Sequence, residues 1–297
     1  MRVFLTGGTG FTGSNIVPLL LKNGIQVRCL YRPTSNRSVL LRDQPEIEWA
    51  VGDVSDTEAL AAVMQGTEAL VNIASLGFGQ AHSILRAAQM AGIKRTIFIS
   101  TTAIFTHLNA KSKKIRLEAE RAIETSGLQY TILRPTMIYG TSRDRNMWRL
   151  IRFMHYSPIV PIFGNGNFLQ QPIHVNDVAQ AVLSCLKADS TIGKCYNIAG
   201  KCALTYNEVI DTIARCMNKR IWKVHLPSGP VVSLLGLFER LRIPFPIKAE
   251  QILRLNENKN FSYEEAAKDF GFAPLSFEEG IGIELKQIGI NNYGNKS

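Results

Sequence analysis

Residues 6–13 read TGGTGFTG. The run before them, Arg2 to Thr6, is short, apolar and strand-like. The segment after them, Thr12 to Lys22, repeats apolar residues at helical spacing through Ile16, Leu19 and Leu20. Asn23-Gly24 then closes the helix with a pair suited to a left-handed C-cap. A glycine-rich turn between a strand and a helix has a physical use. Glycines at 7, 10 and 13 let the backbone turn tightly and approach a ligand, while the helix N-terminus offers free amides and the positive end of its dipole. A dinucleotide pyrophosphate meets both features, so Gly7, Gly10, Phe11, Thr12 and Gly13 are its expected seat.

The rest of the first half keeps alternating strand and helix. Gln26 to Tyr31, Ala69 to Ala74, Thr96 to Ser100 and Tyr130 to Arg134 read as strands. Between them, Ser55-x-x-Glu58 reads as a capping box opening a helix that ends near Gln65-Gly66. Gln80 to Ala91 is a helix closed by Gly92, and Ile115 to Thr125 is another. Such alternation predicts an α/β fold, a doubly wound parallel (Rossmann) sheet. After Pro135 the pattern loosens, and residues 139–167 mix Gly, Pro, Arg and aromatics. Asn176-Asp177 is expected to cap a helix reaching Lys187, and Cys195 to Ala199 to form a strand. Thr205-x-x-Glu208, Ser262-x-x-Glu265 and Ser276-x-x-Glu279 read as further capping boxes.

Composition narrows the classes of function. The longest apolar stretch, Val231 to Leu241, is interrupted by Ser233, Glu239 and Arg240, so no membrane span is expected. The N-terminus has no signal-peptide pattern, and a cytoplasmic location is expected. Five cysteines, at 29, 185, 195, 202 and 216, form no Cys-x-x-Cys pair and read as structural thiols, with no metal site. The net charge of +10 reads first as scattered surface charge, and second as a match to an anionic cofactor or substrate. No nucleic-acid-binding motif accompanies it. A homodimer stays open.

The Gly-x-x-Gly-x-x-Gly spacing resembles the extended and atypical branches of the short-chain dehydrogenase/reductase superfamily, the epimerase/dehydratase-like members. Further segments are similar in order. Gly52-Asp53-Val54 looks like the adenine-side segment after the third strand, and VNIAS, 71–75, like the fourth-strand end, with Ala74 beside the dinucleotide. FISTTAIF, 98–105, is similar to the segment with the active-site hydroxyl, and LRPTMIYG, 133–140, to the one whose backbone past Pro135 holds the nicotinamide amide. PIHVNDVAQAV, 172–182, and YNIAG, 196–200, resemble later landmarks. The resemblance implies a Rossmann domain of residues 1–139 and 173–221, a discontinuous substrate lobe of 140–172 and 222–290, and a tail at 291–297.

It also implies departures. At the end of the second strand, where an acid would bind the ribose hydroxyls of NAD, the sequence reads LYRPTSNRS. Arg32 there, helped by Ser35 and Arg37, predicts NADP with NAD as the alternative, because a guanidinium pairs with a 2′-phosphate that an aspartate would repel. Thr101 stands at the active-site hydroxyl. The usual Tyr-x-x-x-Lys pair is absent: counting back from Glu120-Arg121 places Ser112 and Arg116 at those sites. His107-x-x-x-Lys111 is a shifted alternative with acid/base chemistry. Tyr139 and His174 read as packing residues, and Thr102-Ala103 replaces the Asp-Glu of the 4,6-dehydratases. Two functions follow: an oxidoreductase or epimerase-like enzyme on a nucleotide sugar or other carbonyl substrate, or a cofactor-binding structural or regulatory protein similar to the atypical members among complex I accessory subunits.

Overall fold

The computed structural model describes residues 1–35, 46–241, 243 and 248–290. Seven strands, β1 (Arg2–Thr6), β2 (Gln26–Tyr31), β3 (Glu48–Val51), β4 (Ala69–Asn72), β5 (Arg95–Ile99), β6 (Gln129–Pro135) and β7 (Lys194–Ile198), form one parallel sheet. Their order is β7-β6-β5-β4-β1-β2-β3. The expected doubly wound α/β sheet is therefore present. β4 is buried along its whole length, and β1 and β5 are buried after their first residue, as strands covered on both faces must be. On one face the helices Thr57–Met64, Ala81–Met90 and Lys111–Glu124 pack side by side; Gly13–Lys22 packs with Val175–Lys187. Phe4, Leu60, Met64, Leu70, Ile84, Phe98 and Ile123 fill the core beneath the first group. The strand order reverses at β1, and such a switch point opens a crevice at the carboxyl ends of the strands.

Several local expectations are corrected. Asp56, not Ser55, caps Thr57–Met64 by accepting from the Ala59 amide at 3.1 Å; Ser55 is bound by Asp53. Ser262 accepts from the Glu264 amide, but Tyr263 holds the cap position of Glu264–Phe270. Asn176 and Asp177 lie inside the first turn of Val175–Lys187, where Asp177 complements the dipole. The helix over the expected Ile115 to Thr125 starts a turn earlier, at Lys111. The boxes at Thr205/Glu208 and Ser276/Glu279 are both formed.

The chain divides into two compact units. The first holds Met1–Ile138, Val175–Ala199 and Ser262–Ala273; the second holds Tyr139–His174, Gly200–Phe261 and Pro274–Ser297. Two segments fall on other sides than the sequence suggested. Leu204–Thr205 pairs with Leu169–Gln170, and helix Tyr206–Cys216 packs on Phe277–Gln287, which binds 200–221 into the second unit. Asp269 accepts from Lys194 and Tyr196 of β7 at 2.7 and 2.6 Å, which binds 262–273 into the first.

The loosely patterned stretch 139–167 contains a helix, Met147–Tyr156, and a strand, Ile159–Phe163, which pairs in parallel with Trp222–Leu226. Asp144 Oδ1 accepts from the amides of Asn146 and Trp148 at 3.0 Å each and so fixes the start of that helix. Glu284 is fully buried in the same unit. Burial first, and then the Asp144 charge, push its carboxyl up to about 9. A carboxyl raised above its unfolded value favours the folded state while it stays protonated. Stability contributed this way is complete below about 4.5 and is lost as pH rises towards about 9. Urea midpoints measured across that window should therefore fall with pH, at no more than about 1.4 kcal/mol per unit. Glu284→Gln should flatten the slope; an unchanged slope in a folded variant would assign the pH dependence elsewhere.

Candidate functional site

The glycine loop joins β1 to helix Gly13–Lys22, and its glycines differ in purpose. Gly7 has φ +72°, and a β-carbon there would lie 3.0 Å from the Ala74 nitrogen. A β-carbon at Gly13 would lie 2.3 Å from the Gly7 oxygen, and one at Gly8 2.9 Å from Cys29 Sγ. Packing against the chain itself requires these three. Gly10 is different: it is exposed, and a β-carbon there would meet the Gly7 oxygen at 3.2 Å and no other atom counted within 4 Å. The room above Gly10 is open, which suits the close approach of a pyrophosphate. The loop is held by Gly10 N donating to Gly7 O at 3.0 Å and Ser14 N to Gly10 O at 2.9 Å. Asn15 Nδ2 and Ser14 Oγ both donate to Phe11 O. The helix that follows has no side-chain cap from Thr12 and no acid in its first turn. The positive end of this helix dipole is thus met by neither a side-chain cap nor an acid of its own first turn.

A buried polar lock fixes this loop, and sequence reasoning missed it. Thr6 Oγ1 donates to Asn72 Oδ1 at 2.6 Å, Asn72 Nδ2 donates to Ala74 O at 3.0 Å, and Ala74 N donates to Thr6 Oγ1 at 3.2 Å. The ring ties the end of β1 to the segment after β4. The signal was available as a Thr and an Asn at the ends of two otherwise apolar strands, since a buried amide there requires partners.

At the ends of β2 and β3, Gly52 N donates to Tyr31 O at 3.1 Å. Arg32 is exposed and forms a turn with Ser35, whose amide donates to Arg32 O at 2.8 Å; Arg37 lies outside the described residues. Asp53 accepts from the Ser55 hydroxyl at 2.6 Å and its amide at 2.9 Å. These bonds hold the Asp53 carboxyl below its usual range, and the nearby charge of Arg32 adds to them. Val54 packs against the core.

The residues expected to carry chemistry follow β5 and β6. Thr101 ends β5's extension, and its Oγ1 accepts from the Ala103 amide at 3.2 Å. Thr102 Oγ1 donates to Pro135 O at 3.4 Å, which links the two strand ends. Arg134 holds buried Glu120 through Nε and Nη2, at 2.6 Å for the shortest bond, and lies 5.6 Å from the Phe105 ring centre. His107 and Lys111 are exposed, whereas Ser112 and Arg116 are half-buried. The Arg116 guanidinium lies over Gly77, where a β-carbon would be 3.1 Å from Cζ. Arg116 is thus seated on the turn that follows Ala74 and Ser75.

Tyr139 and His174 pack, as the sequence suggested. Their rings meet edge-on at 5.3 Å, and a β-carbon on Gly280 would strike the Tyr139 hydroxyl at 2.0 Å. Burial pushes the His174 imidazole down to about 4, so it stays neutral. Among the described residues no group of His, Cys, Asp or Glu is arranged for a metal.

Residues 7–189 match the family described as NAD(P)H-binding. The chain belongs to that family. Its relatives are of the atypical short-chain dehydrogenase/reductase type. It is 27% identical to the mitochondrial NADH dehydrogenase [ubiquinone] 1 alpha subcomplex subunit 9 of Arabidopsis thaliana, over 84% of this chain and 67% of that one. The Dictyostelium discoideum protein of that name is 26% identical, over 70% of this chain and 61% of that protein's length. A 3 beta-hydroxysteroid dehydrogenase/isomerase of Mycobacterium tuberculosis is 24% identical, over 92% and 86% of the two chains. The fold matches that of a Thermotoga maritima UDP-glucose 4-epimerase with a TM-score of 0.76 at 19% identity, covering 97% of this chain and 99% of the other.

The glycines give a test that separates binding from folding. Gly10→Val should leave the thermal midpoint within a few degrees of the parent and abolish dinucleotide binding. Gly13→Val should destabilise the fold itself, because its side chain meets backbone. Titration of both variants with NADPH, followed by fluorescence, checks this; parental affinity in folded Gly10→Val would reduce the loop to a structural turn.

Proposed function

We propose that the chain is an NADP(H)-dependent oxidoreductase or epimerase-like enzyme acting on a carbonyl substrate, a nucleotide sugar or another. The observation that carries the cofactor reading is Gly10, an exposed glycine whose β-position meets only the Gly7 oxygen, in front of a helix with no side-chain cap. The preference for NADP rests on Arg32 at the end of β2, where its fork can pair bidentately with a 2′-phosphate while Asp53 is committed to Ser55. The nicotinamide supplies the hydride when the cofactor is bound. Ala74 and Pro135 border its place at the ends of β4 and β6, and the Thr6–Asn72 lock keeps that border rigid. Thr101 supplies a hydroxyl to the substrate oxygen, and Lys111 or His107 is the proton donor. The mycobacterial relative's name supports chemistry at a hydroxyl or carbonyl carbon. Free thiols at all five cysteines suit a reducing cytoplasm.

A second reading, a cofactor-binding structural or regulatory protein, is favoured by one observation: Arg116, at the usual lysine site, lies over Gly77, with Ser112 at the tyrosine site. Arginine stays protonated and an unassisted serine is a poor acid. The plant relative, named as a complex I subunit, fits this reading.

Cofactor titration and turnover decide between them. Arg32→Asp should weaken NADPH by about 1.5–3 kcal/mol, roughly tenfold to a hundredfold, and reverse the preference over NADH. Equal affinity of the parent for both cofactors would remove the NADP assignment. With a reducible carbonyl in hand, Thr101→Val should slow turnover by roughly tenfold to a thousandfold, and Lys111→Met by roughly a hundredfold, at unchanged cofactor affinity. Parental rates in both variants would misplace the active site. NADPH binding without reduction of any carbonyl would establish the second reading.

A further inference from the structure

We propose that helix Ser228–Arg240, with Leu241 and Ile243 past its end, docks on an anionic lipid bilayer without crossing it. Pro230, Leu234, Leu237 and Leu241 recur at spacings of four and three, which places them on one side of the helix. Leu234, Leu237 and Leu241 are 51%, 49% and 59% exposed, and Ile243 is 46% exposed. Leu235, on another side, is 3% exposed and holds the helix to its unit. Single exposed leucines are ordinary; several in consecutive turns form a continuous apolar stripe that water covers poorly.

Charge selects the occupant. From Lys219 to Asn260 the sequence carries eight lysines and arginines against three glutamates, a net +5 that is half of the whole chain's +10. Arg220, Arg240 and Lys248 are exposed. Part of this charge is paired within the chain: Glu250 with Arg254 at 2.7 Å and Lys223 with Asp211 at 2.7 Å, while Glu239 accepts from the Ala249 amide at 3.0 Å. An apolar stripe bordered by cations suits a surface with acyl chains beneath and phosphates above. Trp222 strengthens the assignment: it is 64% exposed, with the Arg220 guanidinium 5.9 Å from its ring, and tryptophan favours the bilayer interface. Thirteen helical residues reach only about 20 Å, short of the roughly 30 Å hydrocarbon core, so the helix lies on the membrane. No helix among the described residues is long and apolar enough to cross one.

The full chain is sedimented with vesicles of phosphatidylcholine alone and of phosphatidylcholine with phosphatidylglycerol. It should bind the anionic vesicles roughly tenfold or more tightly than the neutral ones, and high salt should weaken that binding. Leu234→Ser, Leu237→Ser and Leu241→Ser together should weaken binding at least roughly tenfold, with the circular dichroism spectrum unchanged. If that variant does not fold, Arg240→Glu serves, with an expected loss of roughly fivefold. A parent chain that ignores anionic vesicles overturns the proposal, as does a folded variant that binds like the parent. A concentration-dependent dimer that the serine variant abolishes also overturns it, since a second copy would then cover the stripe.

Discussion

The structure depends on a steric constraint at the first turn. β1 must pass into a helix whose axis lies close enough that a β-carbon on Gly13 would stand 2.3 Å from the Gly7 oxygen. Only glycine permits that approach, and the approach aims the helix N-terminus at the carboxyl edge of the sheet. The strand order reverses at the same place, so β2 and β4 flank β1 on opposite sides. Fold and binding thus share one origin. The glycines that let the turn close also leave amides unpaired by side chains, and an anion is the natural complement of such a helix end.

A backbone cradle is useful only when its walls are fixed, and the walls are tied by side chains within the apolar sheet. Thr6, Asn72 and Ala74 exchange hydrogen bonds across β1 and β4, and Thr102 reaches Pro135 across β5 and β6. Each of these residues stands where a parallel strand ends and its neighbour's ladder no longer supplies partners. Removing one would leave a buried amide or hydroxyl unsatisfied, at a cost of about 1–3 kcal/mol. The Arg134–Glu120 pair does comparable work behind Phe105. Helix Lys111–Glu124 is thereby held to β6 through a bidentate contact.

Legibility followed the strength of the local pattern. β1, β4 and β5 are continuous apolar runs, and each adjoining helix ends in a glycine of positive φ, at Gly24 and Gly92 for the first and third. Their alternation was readable. The stretch 139–167 was not: in Met147–Tyr156 the buried Met147, Ile151 and Met154 are interleaved with Arg149 and Arg152, and Ile159–Phe163 carries a proline in its centre. That strand forms all the same, because its pair has two strands only and the N–H that Pro161 lacks can fall on an open edge. Capping boxes were half-readable. Ser276 and Thr205 cap because each precedes its helix directly, whereas the Ser55 hydroxyl is donated to Asp53 and it is Asp56 that stands directly before its helix and takes the Ala59 amide. Asn72 was not readable, because Thr6, the donor to its Oδ1, lies 66 residues away.

The catalytic end of the proposed site is less defined than its cofactor end. Pyrophosphate binding uses backbone, and any sequence that keeps the glycines and the turn keeps the site. Proton transfer uses side chains whose acidity must be set by neighbours. At the positions where the resemblance places the Tyr and Lys, Ser112 brings a hydroxyl without a base, and Arg116 brings a cation that does not give up its proton. Arg116 lies instead on Gly77, in the turn after Ala74 and Ser75. A fixed cation there suits stabilising negative charge on a bound group rather than exchanging protons with it. On the proposed reading the proton comes from Lys111 or His107, from water ordered by Thr101, or from the substrate.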